Sequence, residues 1–313
     1  MFWYALKRIG LSVPTAVLVT VIVFLMMRAI PGDPVMIILG DNTDAALEAE
    51  MRGALGIDQN WLQQYGHWMG RVLTGDLGRS VINQEPVLGL ILSRFPVTAQ
   101  VVLAATLLAL LIAVPAGVFA AWRQNTRSDY AIVTAAIVLV SVPSFWIGLM
   151  LIWVFSVKWA IFPTFGFESV AESGLSALKY LVLPVIAIVC TEIASITRMM
   201  RSTMIEVLRL EYITHAKAKG LSSARVLFRH AFPNAFAPTL TLIGIILGNL
   251  LSGAAVIETV FTIPGIGRLL VDAIYARDYP VVQGCLIFIA FLYVIVNLVV
   301  DLLYTFFDPR IRF

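Results

Sequence analysis

The chain has 313 residues, 60% of them hydrophobic and 13% charged, where an ordinary soluble domain is nearer a quarter charged. That much apolar surface exceeds what a water-soluble core can hide. The net charge of +3 comes from basic residues scattered between apolar runs rather than gathered on one face, so it is no nucleic-acid footprint.

Six runs are long and apolar enough to cross hydrocarbon as helices: 9–27, 97–122, 130–157, 180–196, 236–260 and 281–306. None holds a Lys or Arg, and their only acids are Glu192, Glu258 and Asp301. A transmembrane β-barrel would alternate apolar and polar residues, and these runs do not. The expected fold is an all-α polytopic membrane protein with six transmembrane helices. Residues 1–30 form the N-terminus and first span, 31–96 a segment outside the membrane, and 97–313 a five-helix core with a loop at 201–235. The first run follows Lys7 and Arg8, is too long for a signal peptide and lacks a small-residue cleavage site.

Six spans put both termini on one side. If that side is the cytoplasm, the inner segments carry 13 Lys/Arg in 61 residues and the outer ones 9 in 111, as the positive-inside rule requires. The long outer segment holds a turn at Pro31-Gly32-Asp33-Pro34, an acidic helical stretch at 43–55 and a second turn at Gly75-Asp76-Leu77-Gly78.

Within the spans, Pro143 and Pro184 interrupt the third and fourth, as kinks that shape a pathway or as packing features. Gly148, Gly244, Gly248 and Gly253 suit close helix approach. The fourth run is the shortest, and its helix is expected to continue past Ile196 with Arg198 and Arg201. Glu192 either lines a pathway or pairs with Arg198. Glu258 stands at the outer end of the fifth span, beside a Gly/Pro-rich stretch containing Phe261, Pro264, Gly265 and Gly267, where gate and interface readings both stay open. Asp301 is placed to meet Arg310 or Arg312. Cys190 and Cys285 fall inside spans as small apolar residues. His67, His215 and His230 lie in loops and Met199-Met200 suits helix packing, so no metal route is visible.

The inner loop is the most informative segment. Residues 203–219 contain strong helix formers and no Gly or Pro, and Gly220 follows where a left-handed C′ residue is expected. Ser222 or Ser223 is placed to cap a second short helix, ended by Pro233. Lys217, Lys219, Arg225, Arg229 and His230 are left for solvent or anionic headgroups. The pair is either an amphipathic connector lying on lipid or a docking element for a partner.

Residues 211–233 resemble the cytoplasmic loop of bacterial ABC-importer permeases, with Ala216, Gly220 and Pro233 in the motif positions and Thr214 and His215 replacing its Glu and first Ala. The departures match the peptide/nickel branch. Its pattern is met by Glu211, Tyr212-Ile213, Ala216-Lys217-Ala218-Lys219-Gly220-Leu221, His230-Ala231, and Asn234-Ala235 with Pro238. Pro31-Gly32-Asp33-Pro34, Gly75-Asp76-Leu77-Gly78, Glu258 with Phe261, Pro264-Gly265-Ile266-Gly267-Arg268, Arg277-Asp278-Tyr279-Pro280, Asn297 to Asp301 and Asp308-Pro309-Arg310 extend the resemblance end to end.

The resemblance implies half of a type I importer pathway in the bacterial inner membrane. Its partners are a second permease chain, two cytosolic ATPase subunits and a periplasmic binding protein. No Gly-rich phosphate loop occurs in the chain, so ATP and Mg are expected on the partner ATPases, with no cofactor, metal or catalytic residue here. A di- or oligopeptide is the expected solute, with nickel, an opine or glutathione as alternatives. An ion-coupled secondary transporter would call for inverted repeats and midplane carboxylates, and only Glu192 is suitably placed. An intramembrane enzyme would require a nucleophile–base or metal constellation, and none is visible in the spans.

Overall fold

The computed structural model describes residues 2–29, 59–169 and 173–307. The turn at 31–34, the acidic stretch at 43–55 and Arg310 and Arg312 lie outside them. The described residues are helical, and their one β-bridge joins Arg79 to Pro86. Among the described residues, five helices are long and apolar enough to cross a membrane, six if one bent pair counts as a single span.

The first span is α1 (Phe2–Ala29). A short amphipathic helix, α2 (Trp61–Leu73), starts at Asn60, whose side chain accepts the Leu62 N–H at 2.8 Å. It is fixed to the end of α1 by aromatic packing, Phe24 lying 5.3 Å from Tyr65 and 5.6 Å from Trp68 between ring centroids. Arg28 adds a guanidinium 3.8 Å above the Phe24 ring and a bond to the Gln64 side chain. The expected turn at 75–78 follows, with Gly75 and Gly78 at φ +81° and +86° and the Gly78 N–H on Asp76 Oδ1 at 2.9 Å.

The second span, α3 (Val87–Trp122), begins ten residues before its apolar run, so the boundary drawn at residue 96 falls inside a helix. At 1.5 Å per residue its 36 residues extend about 54 Å, well beyond a hydrocarbon thickness of about 30 Å. The third span is broken rather than kinked. Helices α4 (Arg127–Val140) and α5 (Ser144–Leu151) meet at 90°, and Pro143, extended at ψ 138°, occupies the N-cap of α5. A residue before proline is pushed out of the α region, which stops α4 at this point. A wide π turn, Ile152–Lys158, continues α5. The fourth span, α6 (Leu178–Leu208), is continuous through the buried Pro184 and carries Arg198 and Arg201 beyond Ile196, as expected.

The loop after α6 departs from its expected form. Residues 203–219 are not one helix: α6 stops at Leu208, Leu210 is extended, and α7 (Glu211–Ala218) starts anew. A straight continuation would carry Ile213 and Ala216 away from the protein, whereas the break lets both bury against Met200 and Met204. Packing overrides local propensity here. Ser222 takes the cap position of Ser223–Arg225, but its side chain makes no capping bond. Nor does Pro233 end that helix: a π turn, Val226–Ala231, carries the chain into α8 (Phe232–Gly253), where proline's missing N–H is tolerated in the first turn. The fifth run divides into α8 and a short α9 (Ala255–Val260), followed by α10 (Ile266–Tyr275) and the last span, α11 (Tyr279–Phe307).

The central packing pair is α3 and α6. Ala105, Ala109, Ala113 and Gly117 recur every four residues on α3 and are all buried. Such a small-residue stripe lets backbones meet where lipid gives no hydrophobic drive. At Gly117 a Cβ would stand 2.8 Å from the Thr197 carbonyl oxygen and 2.8 Å from Met200 Cβ. Gly244 faces Val300 and Gly248 faces Tyr293 in the same manner between α8 and α11. We expect Gly117→Leu to force the pair apart at a cost of about 1–3 kcal/mol, seen as a lower thermal midpoint in detergent. Gly89→Ala, whose added methyl meets nothing within 4 Å, should leave the midpoint at or above that of the parent.

Candidate functional site

Two clusters gather the residues singled out in the sequence, one in the loop after α6 and one in the turn after α9.

In the loop, α7 ends in a complete Schellman cap. The Leu221 N–H reaches the Ala216 carbonyl at 3.4 Å, the Gly220 N–H reaches that of Lys217 at 2.9 Å, and Gly220 has φ +78°. The underside of the loop is apolar: Ile213, Ala216, Val226, Leu227 and Ala231 bury against Val118 and Ala121 of α3 and Met200, Met204 and Val207 of α6. The far end is closed by polar contacts. The Tyr212 hydroxyl donates to the His230 carbonyl at 3.2 Å, and Asn234 Nδ2 donates to that carbonyl at 3.1 Å and to the Tyr212 oxygen at 3.0 Å. Glu211, Lys217, Ala218, Lys219, Arg225 and Arg229 remain exposed, so the outward surface is mainly basic. Phe228, 63% exposed among them, was not singled out by the sequence, although its place beside Arg225 and Arg229 was a usable signal.

In the turn after α9, Glu258 is fully buried and paired through both oxygens. Thr98 of α3 donates its hydroxyl to Oε1 at 2.6 Å and accepts the Ile266 N–H at 2.9 Å, while the Arg268 N–H donates to Oε2 at 2.9 Å. The carboxylate therefore caps the N-terminus of α10, where unpaired N–H groups and the helix dipole favour negative charge. Gly265 and Gly267 are required by close approach: a Cβ at Gly265 would lie 2.1 Å from Glu258 Oε1, and one at Gly267 2.5 Å from Ala255 Cα. Phe261 is buried against Gly148 of α5, and Pro264 is half-buried in the turn. Thr98 was missed in the sequence because nothing in its spacing marks a partner 160 residues away.

The other candidates separate. Glu192 is half-buried on α6, and Arg198 turns to the Ala194 carbonyl at 3.4 Å instead of pairing with it. Six residues along a helix turn through about 240°, so the two side chains leave different faces. Pro143 sits at the α4–α5 break, away from either cluster in sequence. No group of three or more His, Cys, Asp or Glu fit to hold a metal occurs among the described residues.

The candidate long membrane-crossing helices, joined by a loop with an apolar floor and a basic outer surface, define a polytopic membrane protein. Residues 113–313 match the family described as binding-protein-dependent transport system inner membrane component, and residues 1–102 match its N-terminal counterpart. A putative peptide transport system permease protein of Brucella abortus (strain 2308) is 40% identical over 308 residues, 98% of each chain. The di/tripeptide transport system permease protein DppB of Pseudomonas aeruginosa (strain UCBPP-PA14) is 42% identical, covering 100% of this chain and 99% of that protein. The oligopeptide transport system permease protein AppB of Bacillus subtilis (strain 168) is 36% identical over 99% of both. The chain belongs to the family of binding-protein-dependent transport system inner membrane components and is a permease subunit of an ABC importer.

We expect Glu258→Ala, which leaves the Arg268 N–H and the Thr98 hydroxyl without their acceptor, to cost about 1–3 kcal/mol locally. Limited trypsin digestion should then cut faster after Arg268 and Arg277, with Glu258→Gln intermediate because it keeps one acceptor oxygen.

Proposed function

We propose that this chain forms half of a pathway that carries di- or oligopeptides across the inner membrane, with both termini in the cytoplasm. A second permease chain supplies the other half. A periplasmic binding protein delivers the solute, and two cytosolic ATPase subunits bind ATP and Mg. The chain itself does no covalent chemistry. Support for the peptide as solute comes from full-length similarity to permeases named for peptides.

The observation that carries the coupling role is the fixed loop after α6. Its buried floor and capped turn make 211–235 a stiff plate, with Lys217, Lys219, Arg225 and Phe228 on the outward surface for an ATPase groove. Glu211, Tyr212, Ala216, Ala218, Gly220, Leu221, His230, Pro233 and Asn234 set its shape. In the turn after α9, Glu258, Phe261, Pro264, Gly265 and Gly267 hold the outer gate, while Glu192 and Pro143 are pathway candidates.

Purification from native membranes should bring down two ATPase chains, and reconstituted complexes should hydrolyse ATP faster with peptide-loaded binding protein. Failure of both would overturn the reading. Thermal-shift screening of the binding protein with peptides, nickel chelates and opines should stabilise it with peptides. Within the loop, Gly220→Pro replaces φ +78° by a ring locked near −65° and removes the N–H bonded to Lys217. That substitution should leave ATP hydrolysis largely intact while abolishing peptide uptake, and normal uptake at normal expression would sink the coupling role.

A further inference from the structure

Asp129 and Arg201 play no part in the two clusters, yet they form a close ion pair. Asp129 is fully buried, and Arg201 is a quarter exposed. The guanidinium meets the carboxylate fork to fork, Nε to Oδ1 at 2.6 Å and Nη2 to Oδ2 at 2.7 Å, and Oδ2 also accepts the Asn125 N–H at 2.9 Å. One carboxylate thus holds the turn after α3, the start of α4 and the inner arm of α6. Asn125 is held at φ +64° in that turn.

A buried ion pair is weak evidence for stability, because desolvation of both charges offsets their attraction; what a fork-to-fork pair adds is a fixed relative position. Helix α4 lies along α6 but buries little of itself there. Of its fourteen residues only Asp129 and Ala136 are buried. The inner arm of α6 is by contrast tied on other sides: Thr197 donates to the Ala113 carbonyl of α3 at 3.4 Å, and Thr203 donates to the Ala235 carbonyl of α8 at 2.8 Å. The same arm runs directly into the loop at 211–235. At the other end α4 leads through the Pro143 break into α5, whose Gly148 lies against Phe261 of the outer turn.

We propose that the Asp129–Arg201 pair is a mechanical tie that makes α4 follow the inner arm of α6, so that displacement of the coupling loop reaches the broken third span and, through it, the outer turn. Both are positioning residues, and the proposal rests on the reading that the loop docks an ATPase. In proteoliposomes holding the full complex, Asp129→Asn and Arg201→Met should each lower peptide moved per ATP hydrolysed by about tenfold, within the range usual for coupling between sites. ATPase activity itself should be retained. Arg201→Lys, which keeps the charge and loses the fork, should fall between these and the parent. A purely structural pair would lower yield or thermal midpoint and leave the ratio in assembled complexes unchanged, and that result overturns the tie.

A second measurement leaves the pair intact, in case the variants do not assemble. Spin labels at Arg127→Cys and Glu206→Cys, with Cys190 and Cys285 replaced by alanine, report the separation of α4 from the inner arm. The distance distribution should stay the same between ATP-free and ATP-trapped complexes, and a shift between them overturns the proposal. If the parent complex shows no ATPase stimulation by loaded binding protein, the docking reading fails instead, whatever the Asp129 variants do.

Discussion

Close contact between α3 and α6 is the constraint from which the rest of the molecule is hung. Lipid tails are as apolar as leucine, so nothing squeezes two spans together, and they hold only if their backbones come near enough for dispersion and polar contacts to act. Alanines 105, 109 and 113 and Gly117 supply that nearness along one stripe of α3. Both clusters of functional interest then lie at opposite ends of the pair. Toward one end, α3 presents Thr98 to Glu258; toward the other, Gly117 and Val118 of α3 meet the arm of α6 that continues into the loop.

The two ends are built by different physics. At the loop the main contribution is apolar, Ile213, Ala216 and Leu227 lying on a floor of Met200, Met204 and Val207, with polar bonds only at the rim. Methionine suits that floor because its unbranched side chain fills irregular gaps. At the turn after α9 the organising group is a buried carboxyl. Burying Glu258 without partners would be costly, and the cost is offset because hydroxyl and backbone donors converge on both oxygens. For the proposed roles this division is apt: a docking surface needs stiffness in bulk, whereas a gate needs a small number of bonds that can be exchanged.

Much of this was legible in the sequence because the membrane imposes simple rules. Apolar length marked where the spans lie, although α3 starts ten residues before its run and α6 continues well past Ile196; Gly220 announced its left-handed turn, and Glu258 stood out as an acid in an apolar run. What escaped was non-local or geometric. Nothing near Thr98 or Asp129 hints at partners 160 and 72 residues away. The stop at Leu208 escaped for another reason: residues 203–219 are good helix formers, and only the shape of the floor beneath them decides that α7 must fold back. Pro143 marked an interruption of the third span, but hydropathy is blind to direction and gave no sign that the chain turns through 90° there.

That broken span bears on how a push travels. A long helix transmits displacement along its axis, and α6, continuous from Leu178 to Leu208, is such an element between the loop and the centre of the protein. Helices α4 and α5, set at right angles, cannot transmit along one axis; under the proposed coupling, a shift at the start of α4 becomes a rotation about the Pro143 corner. Where the output of that rotation falls is set by Gly148, which allows α5 to lie against Phe261 at the outer turn. Phe261 immediately follows α9, whose Glu258 caps α10, so a movement there is delivered to the bonds that hold the turn in place. Under the proposed coupling, motion along α6 and rotation of α4 and α5 converge on the same few residues by separate routes, and they arrive in step only if the start of α4 and the adjoining arm of α6 are held in fixed relation.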